Sequence, residues 1–361
     1  MTTARKATRR IMLGRVAIGG GAPVSVQTMT KTDTRDVAAT VAQIRAVAEA
    51  GADIVRLAIP DATAADALRE IRKQVDTPLV ADIHFDHRLA LRAIEAGIDG
   101  LRINPGNIGG VEHVRAVVAA ARPRRVPIRI GVNAGSLEKE ILAKHGSATA
   151  EALVESALGH VAMLEAEDYR EIKISVKASD VARTIAAYRL LSERTDYPLH
   201  LGVTEAGTFF GGTVRSCAAL GALLAAGIGD TIRISLTADP REEVRVGVEL
   251  LRAFGMRAPG AAVTSCPTCG RTQVDVARIA GEIEQRLENF YQQHPTAPRP
   301  HVAVMGCVVN GPGEARAADI ALAGGKGIFA LYERGEYVAN VPEAEAVARV
   351  IERVTSWTGK K

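Results

Sequence analysis

The chain has 361 residues, 47% hydrophobic, 24% charged and 4% aromatic, with 45 basic against 41 acidic side chains and a formal charge of +4. That length suits a barrel of about 250 residues with a smaller module. The mild charge is compatible with an anionic small substrate, and so few aromatics leave little surface for stacking nucleic-acid bases. The basic start MTTARKATRR leads into no apolar stretch of signal-peptide length, and the apolar run Ala218 to Ile228 is broken by glycine and reads as a buried helix. No membrane span and no nucleic-acid partner are therefore expected, and a cytoplasmic location is.

From Val24 to about Ala253, short β-rich runs alternate with Ala-rich runs of helical period. The strands begin at Val24, Asp53, Pro78, Gly100, Pro127, Glu171, Pro198 and Thr231; helical stretches such as Val37–Ala50, Val181–Arg194 and Gly212–Ala226 follow them. Eight such units predict a closed parallel (β/α)8 barrel, with a doubly wound sheet as the competitor. The polar residues ending each strand run favour the barrel, whose sites lie at the C-terminal mouth. The connection Ala134–Thr149 has room for an extra short helix. After about Pro259 the rhythm changes: a CxxC, a charged helix over Gln273–Tyr291, the Pro-rich linker His294–Pro300, several strand runs and a closing helix from Pro342. The expected division is a barrel over 1–258 and a smaller α+β domain over 259–361.

Side chains two apart on a strand share a face. That rule groups Asp82 with His84, Arg129 with Asn133, Lys173 with Ser175 and Lys177, and Arg233 with Ser235, while Arg56 and Arg102 fall late in their strands. Arg56, Arg102, Arg129, Lys177 and Arg233 would ring one opening. Buried like charges repel and each costs several kcal/mol to desolvate, so a polyanion would resolve the arrangement; salt bridges to Asp82 and Glu205 are the plainer reading. Asp82, His84 and Glu205 are the acid–base candidates, with Glu205 favoured by its place near the end of the seventh strand.

SCPTCGR sets Cys266 and Cys269 at a spacing that lets both thiolates reach one metal, and Cys307 opens CVVNGPGE, a tight segment able to bring back Glu314. Three cysteines satisfy three irons of a [4Fe–4S] cube, and a carboxylate would be a displaceable fourth donor. A structural zinc completed by His301 or His294 remains open on spacing alone. Cys217 reads as a small buried hydrophobe.

In order along the chain, SVQTMTKTDT, ADIVRLAIP, ADIHFD, LRINPGNI, IRIGVNAGSL, ISVKASD, LGVTEAG, IRISLT, SCPTCGRT and GCVVNGPGEA resemble the segments of the 4-hydroxy-3-methylbut-2-en-1-yl diphosphate synthases (the IspG/GcpE family), bacterial two-domain form. The resemblance implies a [4Fe–4S] cluster on Cys266, Cys269, Cys307 and Glu314. It implies a diphosphate near Arg56, Arg102, Arg129, Lys177, Arg233 and Ser235, with Asn133, Asp82 and His84 close to the sugar-derived carbons. The implied reaction is the two-electron ring opening and dehydration of 2-C-methyl-D-erythritol 2,4-cyclodiphosphate to 4-hydroxy-3-methylbut-2-enyl diphosphate in isoprenoid biosynthesis. Glu205 is assigned the proton that lets the hydroxyl leave as water. Flavodoxin or ferredoxin would supply electrons, and a homodimer would set one subunit's barrel against its partner's cluster domain. The alternative is a redox-inert barrel enzyme of a phosphorylated or pterin-like substrate carrying a zinc module.

Overall fold

The computed structural model describes residues 4–104, 107–258, 260–294, 296–307, 313 and 317–358, in two compact units, Met1–Arg257 and Ala258–Lys361. The chain enters through a small antiparallel hairpin, β1 (Ile11–Leu13) and β2 (Val16–Ile18). Gly14 sits in its turn at φ +56°, where a side chain would meet the Asp99 carboxylate.

The barrel wall is β3 (Ser25–Met29), β4 (Ile54–Ala58), β5 (Leu79–Asp82), β6 (Gly100–Ile103), β7 (Ile128–Asn133), β8 (Ile172–Lys177), β9 (His200–Leu201) and β10 (Thr231–Ile232). All neighbours run parallel, in the spatial order β8-β7-β6-β5-β4-β3-β10-β9. A parallel bridge between Ile174 and Leu199 brings β8 to the foot of β9 and closes the ring. This is the (β/α)8 barrel expected from the alternation.

The wall is surrounded by α1 (Val37–Glu49), α2 (Ala62–Arg72), α3 (His87–Glu95), α4 (Val111–Ala121), α5 (Lys139–His145), α6 (Ala150–Ala166), α7 (Val181–Arg194), α8 (Phe209–Ala225) and α9 (Pro240–Ala253). Asp36, Asp61, Asp86, Asp180 and Asp239 each accept a backbone N–H of the helix they precede. Each cap satisfies one orphan donor, worth about 1 kcal/mol, and ends a loop of the C-terminal mouth at a defined residue. The long connection after β7 holds the short helix α5.

Apolar packing lies between wall and helices, where Val55, Leu57, Ile130, Val132, Ile174 and Val176 meet residues such as Leu68, Val117 and Leu153. The opposite parity faces the barrel axis and is polar over most of its height. Only at the N-terminal end is the interior apolar: Ile54 and Val80 pack there against Ile11, Leu13 and Ile18 of the hairpin.

The second unit is a five-stranded sheet of β11 (Val263–Ser265), β12 (Val302–Met305), β13 (Ile320–Gly324), β14 (Ile328–Glu333) and β15 (Glu336–Pro342), in that order. The first three are parallel and the last two antiparallel. α10 (Val276–Gln293) and α11 (Ala346–Thr355) bury Ile279, Ile283, Leu287, Val350 and Val354 against Val302, Val304, Leu322, Phe329 and Leu331.

Candidate active site

Inward residues at the C-terminal mouth form a cavity of about 150 Å³ lined by Arg56, Asp82, His84, Arg102, Arg129, Asn133, Lys177, Thr204, Arg233 and Ser235. Strand parity brings five cations and one carboxylate together there. Arg56, Arg102, Arg129 and Lys177 are 8%, 6%, 3% and 6% exposed, so their charges are held largely away from water.

Asp82 is the hub. Arg102 Nη1 donates to its Oδ1 at 3.2 Å, and Arg56 Nε stands 3.7 Å from Oδ2. Burial raises Asp82's proton affinity, but Arg56, the neighbouring His84, Arg102 and Arg129 together hold it far below the ordinary carboxylate range. Arg102 Nη1 also lies 2.8 Å from His84 Nε2; a guanidinium only donates, so this nitrogen accepts. Asp82 and His84 thus face each other at 3.6 Å with Arg102 shared between them.

The remaining cations are poorly matched by protein acceptors. Arg56 directs Nε and Nη2 at the Met29 thioether, a weak acceptor, at 3.2 and 3.0 Å. Arg129 donates from Nη1 to Ser175 Oγ at 2.5 Å, while its Nε and Nη2 have no partner. Arg233 Nη2 is 3.5 Å from the buried Glu243 of α9, and its Nε is unpaired. Desolvation, and then repulsion among the arginines, pushes the Arg129 guanidinium and the Lys177 amine well below their usual ranges. Arg56 is lowered to about 10, chiefly by burial and against the pull of Asp82.

Two glycines make room for these charges. A Cβ on Gly131 would fall 2.5 Å from Arg102 Nε, and one on Gly202 would fall 2.5 Å from Lys177 Nζ. The mouth is therefore a preformed cage of donors whose missing counter-charge a compact polyanion would supply.

The expected substrate-contacting residues Arg56, Arg102, Arg129, Asn133, Lys177, Arg233 and Ser235 all line this one cavity, as do Asp82 and His84. Glu205 does not. It is exposed, next to the lining residue Thr204, in a turn where its own φ is +52°. A non-glycine residue held in the left-handed region costs on the order of 1–3 kcal/mol, a strain that accumulates where function requires it. Sequence reading passed over Thr204 and Glu243. Thr204 carried a usable signal, since it continues the inward parity of His200 and Gly202.

In the second unit the parallel pairing of β11 with β12 carries Cys266 and Cys307 past the ends of neighbouring strands. Cys266 N–H donates to Val304 O at 3.0 Å, anchoring the CxxC to β12. Thr268 N–H points at Cys266 Sγ at 3.4 Å, and Cys269 N–H donates to Thr272 Oγ1 at 3.0 Å, tightening the turn. Cys307 is buried, Cys266 half-buried and Cys269 exposed. Glu314 lies outside the described residues, and among those described no three His, Cys, Asp or Glu side chains converge as a metal site.

The thiols nonetheless share one end of one sheet, with an amide aimed at sulfur, and this soft donor set fits an iron–sulfur cluster. The zinc alternative is not supported. His301 immediately precedes β12 and pairs with Thr264 Oγ1 at 2.8 Å, whereas Cys307 lies beyond the strand's other end, roughly 20 Å along the chain. His294 stacks on Phe290 at the end of α10. Cys217 is half-buried in α8, where burial raises its thiol pKa.

A parallel barrel whose C-terminal mouth is a cage of cations defines an enzyme of the (β/α)8 class that takes an anionic small molecule. The chain belongs to the GcpE family: residues 8–248 match its TIM-barrel domain and residues 262–356 its C-terminal domain. A relative from Geobacter sulfurreducens is 58% identical over 98% of this chain and 99% of its own length. Another from Symbiobacterium thermophilum is 58% identical over 97% of this chain and 93% of its own. Both are named 4-hydroxy-3-methylbut-2-en-1-yl diphosphate synthase (flavodoxin). Among solved structures, dihydropteroate synthases from Yersinia pestis and Stenotrophomonas maltophilia match with TM-scores of 0.50 at 12% and 14% identity. Each match covers 69% of this chain, and 98% and 97% of those chains respectively. At such identity the likeness concerns the barrel fold alone, and a pterin substrate does not follow from it.

Proposed function

We propose that this chain carries out the reaction its relatives are named for. It takes 2-C-methyl-D-erythritol 2,4-cyclodiphosphate into the barrel and opens the ring with two electrons and loss of water. The product is (E)-4-hydroxy-3-methylbut-2-enyl diphosphate of the non-mevalonate isoprenoid route. The observation that carries the reading is the under-paired cation cage in a chain 58% identical to such synthases. Arg56, Arg102, Arg129, Lys177, Arg233 and Ser235 grip the diphosphate and stabilise the oxygen released when the ring bond breaks. Asn133, Asp82 and His84 stand beside the sugar-derived carbons.

Cys266, Cys269, Cys307 and Glu314 hold a [4Fe–4S] cluster. When bound, such a cluster supplies electrons singly and offers one exchangeable iron as a Lewis acid. Glu205 gives the proton that turns the departing hydroxyl into water. Its place beside the lining residue Thr204, in a turn strained at φ +52°, supports that role. Flavodoxin is the electron donor, the enzyme works in the cytoplasm, and it acts as a homodimer in which one subunit's barrel faces its partner's cysteine unit.

Protein prepared without oxygen should be brown, hold about four irons per chain and turn over the cyclic diphosphate with reduced flavodoxin. Colourless, iron-free protein with full activity refutes the proposal. Glu205→Gln should keep its iron and lose turnover; undiminished turnover would remove Glu205 from the reaction. For the dimer, mixing Cys307→Ala and Glu205→Gln subunits should restore activity that neither has alone. No recovery on mixing would sink that arrangement.

A further inference from the structure

One step down the barrel axis from the cavity, the inward positions of β3, β8 and β9 hold Ser25, Gln27, Lys173 and His200, none more than 4% exposed. Ser25 Oγ, both polar ends of Gln27, Lys173 Nζ and His200 Nε2 have no hydrogen-bond partner. Lys173 is the anomaly among them, because an ammonium carries three strong donors and a full charge.

Arg129 of β7, Arg56 of β4, His200 of β9 and Asp230, just before β10, face this amine. Asp230 is the only acid in that set, and its oxygens are already engaged. Oδ1 accepts from Arg5 Nη2 at 3.1 Å and Thr8 Oγ1 at 2.9 Å, and Oδ2 accepts from Leu199 N–H at 2.9 Å. His200 turns Nδ1 to Thr231 Oγ1 at 2.7 Å. A charged Lys173 would thus be desolvated, without an acceptor and beside two guanidiniums. Shedding the proton costs less than holding it there.

We infer that Lys173 is a buried proton acceptor coupled to the anion cavity: uncharged in the ligand-free barrel, it takes up a proton when a polyanion settles among Arg129, Lys177 and Arg233. This rests on reading the mouth as a diphosphate site. Lys173 does not line the cavity; it sits below it, next to Arg129, which reaches Ser175 on Lys173's own strand. Burial holds the amine neutral first and the repulsion of Arg129 second, and negative charge above Arg129 offsets that second part. Protonation then returns one more positive charge beneath the ligand. Lys173 is therefore a positioning residue that sharpens the cage's preference for highly charged anions. Burial, followed by Arg129, depresses its proton affinity far below the usual lysine range.

The test is calorimetric titration of the full chain with inorganic pyrophosphate and with sulfate at pH 8, each in two buffers of different ionisation enthalpy. Sulfate does not titrate near that pH, so a proton taken up with it goes to the protein. Lys177, which lines the cavity and is likewise depressed, also takes up protons, so the reading is the difference: Lys173→Met should still bind sulfate but take up about one proton fewer per sulfate than the wild type. Binding without buffer dependence, or uptake unchanged in Lys173→Met, overturns the inference and leaves the diphosphate reading standing. Failure of pyrophosphate to bind overturns that reading itself. Should the variant not fold, nitrogen NMR of the wild-type lysine amines decides. A buried amine other than that of Lys177, whose signal is identified by its loss in Lys177→Met, should change from neutral to charged on adding sulfate at constant pH, and no such change, or a change confined to Lys177, overturns the inference.

Discussion

Gly131→Ala puts the cage to its sharpest test. The new methyl would lie 2.5 Å from Arg102 Nε and 3.0 Å from Nη2, well inside van der Waals contact. On an exposed arginine such a clash is relieved by swinging the side chain away. Here the guanidinium is buried and fixed by Asp82 at 3.2 Å, His84 at 2.8 Å and Gly131 O at 2.9 Å, so moving it sacrifices those bonds. Overpacking costs about 1–3 kcal/mol, and a misdirected charge-assisted hydrogen bond to ligand costs about 1.5–3 kcal/mol. At about 1.4 kcal/mol per tenfold, pyrophosphate affinity should fall roughly 10- to 100-fold. Calorimetry with a thermal melt on the same sample separates the two effects, and Gly135→Ala, which meets nothing within 4 Å, is the control. Affinity within twofold of wild type in Gly131→Ala would show that anion binding does not need Arg102 in its present position, and would refute the preformed cage.

Asp82→Asn removes the carboxylate that Arg56 and Arg102 share and should destabilise the barrel by about 3–5 kcal/mol in urea unfolding at pH 7. Because Asp82's proton affinity is depressed on folding, that contribution is present above about pH 3.9 and fades as the pH falls below it, so wild type and variant should converge in acid. Lys173 and Lys177 behave in the opposite sense. The unfolded chain binds their protons more tightly, so the ligand-free barrel should gain stability as pH rises from neutral toward about 10.4, and urea midpoints at pH 7 and 9 check this. Cys307→Ala should lose its iron after anaerobic preparation while the barrel's melting transition is unchanged; retained iron would remove Cys307 from the ligand set. Gly281 of α10 meets nothing within 4 Å, and Gly281→Ala should stabilise the second unit by about 0.5–1 kcal/mol in a thermal melt.

The barrel was legible because each wall strand lies in a short run rich in Val, Ile or Leu with a helical period behind it, and the two periods differ enough to be told apart. Strand parity alone then assembled Arg56, Asp82, Arg102, Arg129, Lys177 and Arg233 around one mouth. Other features were hidden for physical reasons. The hairpin strands Ile11–Leu13 and Val16–Ile18 are three residues each, too short to show alternation, and they are strands because of what they cover. Among the described residues Val263–Ser265 pairs only with β12, some forty residues later in the chain. Glu243 reads as an ordinary first-turn acid of a helix. Only the fold reveals that it accepts from Thr28 Oγ1 and Leu236 N–H and faces Arg233. Glu205's exposure was legible, but its distance from the cavity lining depends on a turn conformation that spacing does not encode.

The N-terminal hairpin also shapes the electric field of the molecule. With Ile11, Leu13 and Ile18 stoppering the lower end, the cations are set in a cup of low polarisability that opens to water at the C-terminal mouth. Their field must leave by that outlet, which concentrates the attraction for anions along one path of approach. Cutting away those first eighteen residues would admit water from below and weaken the pull at the opposite end, without touching a single residue that meets the ligand.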